Sequence, residues 1–283
     1  MTRYLAVYDV EWLSDVEYSL QALEAVVLAH RRHNAPATFF ICGKLLDEAG
    51  ARYRDLLADG PFEVGSHTYS HYALKIIPGG AEPSCHLVPV RDEVQRTDAL
   101  IRKVFGHPPV GLRGPGGYYR GLQGQKNTLE MLWGLGVRTL STDARGPGET
   151  IPAPFTQPYW YAEEGFPEML EIPAHDWHEN VLKGHNAAPI AWPPPFPWGY
   201  PNHAPKTPEE EFEVYKHGID WAAEHDAFFY SPPMHPWSVY RFNPEAKTLD
   251  LLLAYLLDKR IPMITVTELR QEFAQTGEKE PRQ

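Results

Sequence analysis

The sequence predicts an α/β protein folded as a single (β/α) barrel, distorted and with seven or eight parallel strands. The first observation is alternation, because short β-like runs and stretches of helical periodicity follow one another along nearly the whole chain. Such alternation is typical of a parallel sheet. The second is number, because seven or eight such units in 283 residues favour a closed barrel. Functional groups of such barrels lie at the carboxyl ends of the strands.

The first half of the chain supplies four predicted strands and three predicted helices. Each helix carries apolar side chains three or four positions apart, as an amphipathic helix requires. Ser14 and Glu17 have the spacing of a capping box, so the first helix is expected to begin at Ser14. The predicted strands cover residues 4–9, 37–42, 62–65 and 110–113, and the predicted helices cover 14–33, 44–59 and 91–105.

The second half continues the alternation around one long irregular segment. Thr207 and Glu210 form a second capping box, with Pro208 at the first helical position. We therefore expect one barrel domain over residues 1–275, followed by a polar tail over 276–283. The predicted strands are 137–141, 170–173, 227–230 and 262–267, and the predicted helices are 126–135, 207–224 and 245–259.

The irregular segment, which we call the insert, covers residues 143–206 and is rich in proline. Segments this long without regular structure are usually lids or binding loops. A structural insertion packed against the barrel is an equally weighted alternative. Four histidines in or beside the insert are expected to be polar lining or solvated positions rather than metal ligands. The insert carries Trp160, Trp177, Trp192 and Trp198, and these histidines are His175, His178, His185 and His203.

Charge and cysteine content exclude several classes of protein. The chain has 26 Lys and Arg against 37 Asp and Glu, a formal net charge of −11, without a basic cluster. Nucleic acids and anionic membranes need such clusters, so neither is an expected partner. Two cysteines are too few for a disulfide framework. Because the start shows no signal-peptide pattern and no apolar run has transmembrane length, we expect a cytoplasmic protein.

Acidic and histidine residues directly follow two of the predicted strands. Asp9 and Glu11 lie at the end of the first strand, where residues i and i+2 point the same way. His67 and His71 follow the third strand, and they share one face if Ser66 caps a helical turn. Two imidazoles at this spacing can hold one metal ion. A solvated strand edge and a chance spacing are the structural alternatives.

Two further groups also follow strands. Arg113 ends the fourth strand, and the Gly-Pro-Gly-Gly turn after it lets backbone N–H groups approach a ligand closely. His235 follows the aromatic strand over residues 227–230. A surface arginine in an ordinary loop and a structural histidine are the alternatives. Because active groups of a barrel collect at the strand ends, all four groups are expected to lie together.

In this order, the four groups resemble the motifs of the polysaccharide deacetylase family (carbohydrate esterase family 4, with nodulation-factor-deacetylase homology). The family pattern is an acidic motif, His-(Ser/Thr)-x-x-His, Arg-x-Pro-x-Gly and a late histidine after a strand. The resemblance spans residues 4–269. One departure is Asp9-x-Glu11 in place of adjacent acids, a form similar to the cytoplasmic branch of peptidoglycan-deacetylase-like and allantoinase-like proteins. The family's Asp and Trp motif matches either Asp143 or Asp176 with Trp177.

The resemblance implies a metal centre and a set of catalytic groups around it. A divalent metal ion, with zinc as the first expectation, would be bound by Glu11, His67 and His71. Asp9 would be the general base that takes a proton from water. Arg113, from the third motif, would pair with Asp9 and keep its carboxylate ionised and oriented.

The same resemblance implies groups around the reacting bond. His235 would be the general acid, oriented by either Asp143 or Asp176. The backbone N–H of Gly116 would join the metal in stabilising the oxyanion. Aromatic side chains that would line the substrate pocket are Trp12, Tyr69, Trp177 and Trp237.

The implied reaction is metal-dependent hydrolysis of a non-peptide C–N amide bond, in the first place deacetylation of an N-acetylated sugar. The alternative is a ring-opening amidohydrolase of a ureide or cyclic imide, as in allantoinase-like relatives. A third reading is a non-catalytic sugar-binding protein, and the intact motif residues argue against it. The expected partner is a small-molecule or carbohydrate substrate, and formation of a homo-oligomer stays open.

Overall fold

The computed structural model describes residues 1–11, 15–76, 86–191 and 203–277. The strands are β1 (Arg3–Leu5), β2 (Val7–Val10), β3 (Ala37–Ile41), β4 (Phe62–Ser66), β5 (Leu112–Tyr119), β6 (Thr139–Arg145), β7 (Tyr159–Tyr161), β8 (Phe166–Glu171), β9 (Phe229–Tyr230), β10 (Pro233–Met234) and β11 (Met263–Ile264). They form one eight-stranded sheet, in the order β10-β2-β3-β4-β5-β6-β8-β7, and a three-stranded sheet, in the order β11-β1-β9.

Helices connect most of these strands, as parallel neighbours require. A short 3₁₀ turn, Pro147–Glu149, follows β6. The helices are α1 (Val16–Arg32), α2 (Gly43–Leu57), α3 (Leu87–Phe105), α4 (Lys126–Gly134), α5 (Glu179–Leu182), α6 (Pro208–Glu224), α7 (Pro236–Phe242), α8 (Lys247–Asp258) and α9 (Val266–Thr276). In the part of the chain that the structure describes, no helix is both long and apolar enough to cross a bilayer.

The predicted α/β class is confirmed, and its strands are parallel with one exception. Strand β7 pairs with β8 in antiparallel orientation, which the sequence analysis did not predict. Across the described ranges, no ladder joins the two ends of the eight-stranded sheet, so the predicted barrel stays open. Beyond the end of β8, a backbone hydrogen bond links the His175 N–H to the Ser231 carbonyl oxygen over 2.8 Å. The chain therefore approaches closure here without a continuous strand pair.

Several element boundaries differ from the prediction. Helix α1 is capped by Asp15, whose side chain accepts a hydrogen bond from the Tyr18 N–H over 2.7 Å. The predicted capping box at Ser14 is therefore wrong, and Ser14 itself lies outside the described residues. Helices α7 and α9 follow strands directly and were not predicted. Thr265 caps α9 with a capping box to Glu268, a signal that the sequence carried at the end of the last predicted strand.

Packing fixes the sheet from both faces. Strand β3 is buried along its whole length, as expected for a strand covered by helices on one side and filling the interior on the other. The largest apolar cluster combines alternate residues of β2 and β3 with the inner faces of α1, α2, α6 and α8. Within it, the Tyr8 and Phe39 rings stack with their centroids 5.3 Å apart. This core holds the carboxyl ends of β2, β3 and β4 in a fixed arrangement.

Candidate metal-binding active site

The polar groups predicted from separate motifs come together in the structure, and all of them except Arg113 lie at or just beyond the carboxyl end of a strand. Asp9 lies in β2 and Glu11 follows directly after it, while His67 comes one residue after β4. Arg113 is the second residue of β5, and His235 follows β10. Neighbouring parallel strands end at the same edge, so residues far apart in the chain become neighbours.

Glu11, His67 and His71 form a compact cluster of potential metal ligands. The Nε2 atom of His71 lies 2.9 Å from Oε1 of Glu11, and Nε2 of His67 lies 3.4 Å from the same oxygen. One ligand atom from each residue lies within 4.8 Å of the others. Two imidazole nitrogens and one carboxylate are a common donor set for catalytic zinc.

The surroundings of His67 fit a bound cation. Its Nδ1 lies 3.0 Å from the Arg113 carbonyl oxygen, which makes Nδ1 the protonated nitrogen and leaves a lone pair on Nε2. Nε2 is buried and, among the described residues, has no hydrogen-bond partner. A lone pair facing the Glu11 carboxylate is unfavourable without a positive charge between them. A divalent ion bound at this point would satisfy both atoms.

The backbone between the two histidines differs from the prediction. Residues 67–73 are a loop rather than a helical turn, so the predicted cap at Ser66 is wrong. Thr68 and His71 have left-handed backbone angles, with φ of 59° and 61°. These two reversals, and not helical periodicity, bring the imidazoles together, with ring centroids 5.0 Å apart.

Asp9 is paired with Arg113, as the motifs implied. Nε of Arg113 lies 2.5 Å from Oδ1 of Asp9, and Nη1 donates to the Ser141 hydroxyl over 2.8 Å. Burial opposes ionisation of Asp9, but the positive charges of Arg113 and His235 outweigh burial and lower the pKa of Asp9. Asp9 is therefore an ionised carboxylate beside the ligand cluster, able to accept a proton.

His235 lies beside Asp9 and Glu11. Its Nε2 is 3.8 Å from Oδ2 of Asp9 and 3.7 Å from Oε1 of Glu11. Nδ1 lies 2.8 Å from Oε2 of Glu179, a residue that the sequence analysis missed. Burial disfavours the charged imidazole, yet the carboxylates of Glu179 and Glu11 outweigh burial and raise the pKa of His235 to about 9. His235 is thus placed and charged to donate a proton.

A pocket opens over this cluster. It has an empty volume of about 560 Å³, part of which is open solvent, and Gly116 is among its lining residues. Trp237 donates from Nε1 to Oε2 of Glu11 over 3.3 Å and so supports a predicted metal ligand. Further lining residues come from the insert, namely His178, Asn180, Val181, Asn186, Ala187 and Ala188.

Comparisons with known proteins agree with this fold. The family model for polysaccharide deacetylases matches residues 15–136. A structure from Mycobacterium smegmatis, described as a candidate polysaccharide deacetylase, superposes with a TM-score of 0.67 and 16% identity, over 97% of this chain and 91% of that one. The resemblance to the polysaccharide deacetylase family is confirmed.

Two further solved structures share the fold. PuuE allantoinase superposes with a TM-score of 0.63 and 15% identity, over 90% of this chain and 72% of its own. A family 4 acetyl xylan esterase from Clostridium thermocellum, in complex with a cobalt ion, superposes with a TM-score of 0.51 and 16% identity, over 95% of this chain and 90% of that one. Among curated proteins, none matches the chain significantly.

Neither candidate for the Asp-Trp motif of the polysaccharide deacetylases orients His235. Asp143 accepts hydrogen bonds from the Arg120 N–H over 3.1 Å and from the Tyr159 hydroxyl over 3.3 Å. Asp176 accepts from the Tyr230 hydroxyl over 2.7 Å. Both expectations are wrong, because Glu179 occupies the space beside His235. No local pattern of the sequence marked Glu179, because its contact with His235 joins residues 56 positions apart.

Three of the predicted pocket aromatics are described by the structure, and none of them lines the pocket, although Trp237 contacts the pocket residue Glu11. Trp177 is fully buried in the main apolar cluster, so it stabilises the core rather than the pocket. Tyr69 does not line the pocket, and its hydroxyl donates to Asp47 over 3.0 Å. Trp12, together with Trp192 and Trp198 of the insert, lies outside the described residues.

The histidines of the insert have different surroundings. His178 lines the pocket, and its Nε2 donates to the Ala144 carbonyl oxygen over 2.8 Å. Burial lowers the pKa of His178 to about 3, so it stays neutral. His175 is buried among aromatic rings, whereas Nδ1 of His185 lies 2.8 Å from the Ser238 hydroxyl and His203 is exposed. Within the described ranges, none of these four belongs to the ligand cluster.

Proposed function

We propose that this protein is a metal-dependent hydrolase of non-peptide C–N amide bonds and that its reaction is deacetylation of an N-acetylated sugar. One observation carries the proposal. Glu11 and His71 of the ligand cluster line one pocket together with an ionised carboxylate, Asp9, and a protonated imidazole, His235, and the third member, His67, lies buried directly behind Glu11. An amide hydrolase needs a proton acceptor for water and a proton donor for the leaving amine on either side of the reacting carbon.

Glu11, His67 and His71 would hold the metal ion, with zinc as the first candidate because of the two imidazole ligands. When bound, such an ion supplies a Lewis acid that polarises the scissile carbonyl and makes water a stronger acid. Trp237 and the Arg113 carbonyl group orient Glu11 and His67 from the second layer.

The protein groups would then divide the proton transfers. Asp9 takes the proton of the attacking water, and Arg113 keeps the Asp9 carboxylate ionised and oriented. His235 gives its Nε2 proton to the leaving nitrogen, so that the amine departs neutral. The Gly116 N–H is the proposed donor to the oxyanion. Glu179 holds Nδ1 of His235 and so directs Nε2 towards Asp9 and Glu11.

Ring opening of a ureide or cyclic imide is the second candidate. The Asp9-x-Glu11 spacing favours it, and so does the shared fold with an allantoinase. The wall that the insert supplies to the pocket also fits a single small molecule. Both reactions need the same proton acceptor and donor, so the substrate decides between them.

The first experiment combines metal analysis with a panel of amides. We expect the purified protein to bind about one equivalent of zinc per chain, as a catalytic site of this type does. Zinc-loaded protein should release acetate from N-acetylglucosamine, and a chelator should abolish the release. Ring opening of allantoin or hydantoin without acetate release would replace the first candidate by the second. Undiminished acetate release by metal-free protein would contradict the first candidate, whereas undiminished ring opening by metal-free protein would exclude a catalytic role of the ligand cluster and favour the second.

Two substitutions separate metal binding from proton transfer. Asp9→Asn should abolish turnover while zinc binding is retained, because the carboxylate pairs with Arg113 and lies outside the Glu11, His67 and His71 set. His71→Ala should lose zinc and activity together. His217→Ala, which removes an exposed histidine of α6, is the matched control and should retain both. Activity in metal-free His71→Ala protein would overturn the assignment of the cluster.

A further inference from the structure

The loop that carries His71 has an unfavourable backbone. Thr68 and His71 both adopt left-handed angles, which side chains with a Cβ atom rarely accept. Such conformations persist only where the surroundings hold them, and they concentrate at functional sites. The position of the His71 imidazole therefore depends on whatever fixes its two chain neighbours.

Both neighbours of His71 are tethered. The Ser70 N–H donates to Oε2 of Glu93 over 2.6 Å, and the Ser70 hydroxyl donates to Oε1 over 2.7 Å. On the other side, the Tyr72 N–H donates to the Thr68 hydroxyl oxygen over 2.8 Å. Glu93 belongs to α3, so one carboxylate connects a helix of the scaffold to the loop between two ligands.

A second set of contacts, which does not involve Glu93, holds Tyr69, the residue before Ser70. The Tyr69 hydroxyl donates to Asp47 over 3.0 Å, and Arg96 donates to the same oxygen over 2.6 Å. The Arg96 guanidinium also lies 3.5 Å from the centre of the Tyr69 ring, and the Lys44 N–H donates to the Tyr69 carbonyl oxygen over 2.9 Å. Loss of Glu93 should therefore release the His71 end of the loop while the fold remains.

The geometry points to Glu93 as a positioning residue that sets the metal affinity of the site through His71. This inference rests on the proposed function, in which His71 is a ligand. Glu93 is 22 residues away from His71 in sequence and touches no ligand atom, so its effect passes through the Ser70 backbone. Groups that orient metal ligands in this way typically change affinity 10- to 100-fold when they are removed.

The test is a zinc competition titration against a chromophoric chelator with full-length protein. Glu93→Ala should weaken zinc binding about 10- to 100-fold. Glu93→Gln keeps one carbonyl acceptor for the two Ser70 donors and should give an intermediate affinity. Asp92→Asn removes an exposed carboxylate from the neighbouring position of α3 and controls for the loss of one negative charge. Equal affinities of Glu93→Ala and Asp92→Asn would overturn the inference.

Cobalt substitution provides a second readout. The visible spectrum of Co²⁺ reports ligand geometry, so Glu93→Ala should change its band positions or intensities, whereas Asp92→Asn should not. If Glu93→Ala does not fold, Ser70→Ala removes only the hydroxyl bond to Glu93 and should show the same change at smaller size. A wild-type protein without zinc affinity would contradict the proposed function instead. If Glu93→Ala and Ser70→Ala change neither the zinc affinity nor the cobalt spectrum, only the role of Glu93 is contradicted.

Discussion

At the scale of single residues, the two proton-transfer groups differ in the charge of their partners. Asp9 is buried against the Arg113 guanidinium, which lowers its pKa in spite of burial. His235 is buried against the Glu179 carboxylate, which helps raise its pKa to about 9 in spite of burial. The opposite charges of the partners set one group to accept a proton and the other to donate one.

Glu179 should be required for turnover but not for metal binding. In Glu179→Gln, His235 loses the negative charge that holds Nδ1 and favours the imidazolium, so kcat should fall about 10²- to 10⁴-fold. Zinc affinity should be unchanged, because Glu179 lies on the far side of the imidazole. The measurement is steady-state amide hydrolysis beside a zinc titration. Asp176→Asn is the matched control, and a larger loss of kcat there than in Glu179→Gln would restore Asp176 as the orienting acid.

At the scale of elements, β5 is the least regular part of the sheet. Its register against β6 shifts between Arg113 and Tyr118, and between them Gly116 and Gly117 have φ of 75° and 63°. Nε of Arg145 donates to the carbonyl oxygens of both glycines, over 2.7 and 3.1 Å. What the sequence presents as a turn after a short strand is therefore a distorted strand that carries Gly116 along the pocket.

Gly117 should be the least replaceable position of this strand. A Cβ atom there would lie 2.5 Å from Cβ of Ala144, in addition to the left-handed backbone. Gly117→Ala should therefore lower the free energy of unfolding by about 2–4 kcal/mol. Gly124→Ala, at a positive φ with open space around it, should cost only about 1 kcal/mol. Urea unfolding of both variants is the measurement, and equal losses would mean that the contact with Ala144 does not matter.

At the scale of the whole molecule, buried titratable groups outside the site make stability depend on pH in opposing ways. The hydrogen bonds of His175 require its neutral form, because Nε2 donates to the Thr156 carbonyl oxygen while Nδ1 accepts from the Ser231 N–H. Burial lowers its pKa to about 4. Burial raises the pKa of Asp143 to about 8, with Glu171 adding to the effect, and the pKa of Asp176 to about 7. As the pH falls, His175 therefore lowers the free energy of unfolding, whereas Asp143 and Asp176 raise it.

His175 should make the fold sensitive to acid. Its folded pKa lies below its unfolded value of 6.5, so its contribution is complete above pH 6.5 and is lost as the pH falls towards 4. Between pH 7 and pH 5 this loss is about 2 kcal/mol by linkage. Because Asp143 and Asp176 act in the opposite direction, the test compares variants rather than the wild-type curve alone.

The measurement is urea unfolding of wild type and His175→Gln at both pH values, in the presence of chelator. The unfolding free energy of wild type minus that of the variant should fall by about 2 kcal/mol on going to pH 5. His217→Gln, at an exposed position, should show no such change. A difference independent of pH for His175→Gln would mean that folding does not shift the pKa of His175.

Local pattern was sufficient for most elements and for the chemistry-bearing motifs. Helical periodicity and alternation reflect which faces are buried, and these are properties of consecutive residues. Asp9, Glu11, His67 and His235 meet because parallel strands end at one edge, which follows from the element order. Arg113 reaches them from the start of β5 and not from its end, as the sequence had predicted. The roles of these residues stay a prediction until the variants above are measured. The antiparallel β7 and the loop conformation at His71 had no comparable local signal.

The sequence by itself determined the α/β class, the family resemblance and the residues that follow the strand ends. Only the tertiary structure decided that Glu179, and not Asp143 or Asp176, faces His235, and that Glu93 holds the loop of His71. It also placed Trp177 in the core. The physical reason is that Glu179 and His235 are 56 positions apart, and a contact of that range depends on how helices pack over the sheet. Spacing along the chain carries no information about such packing.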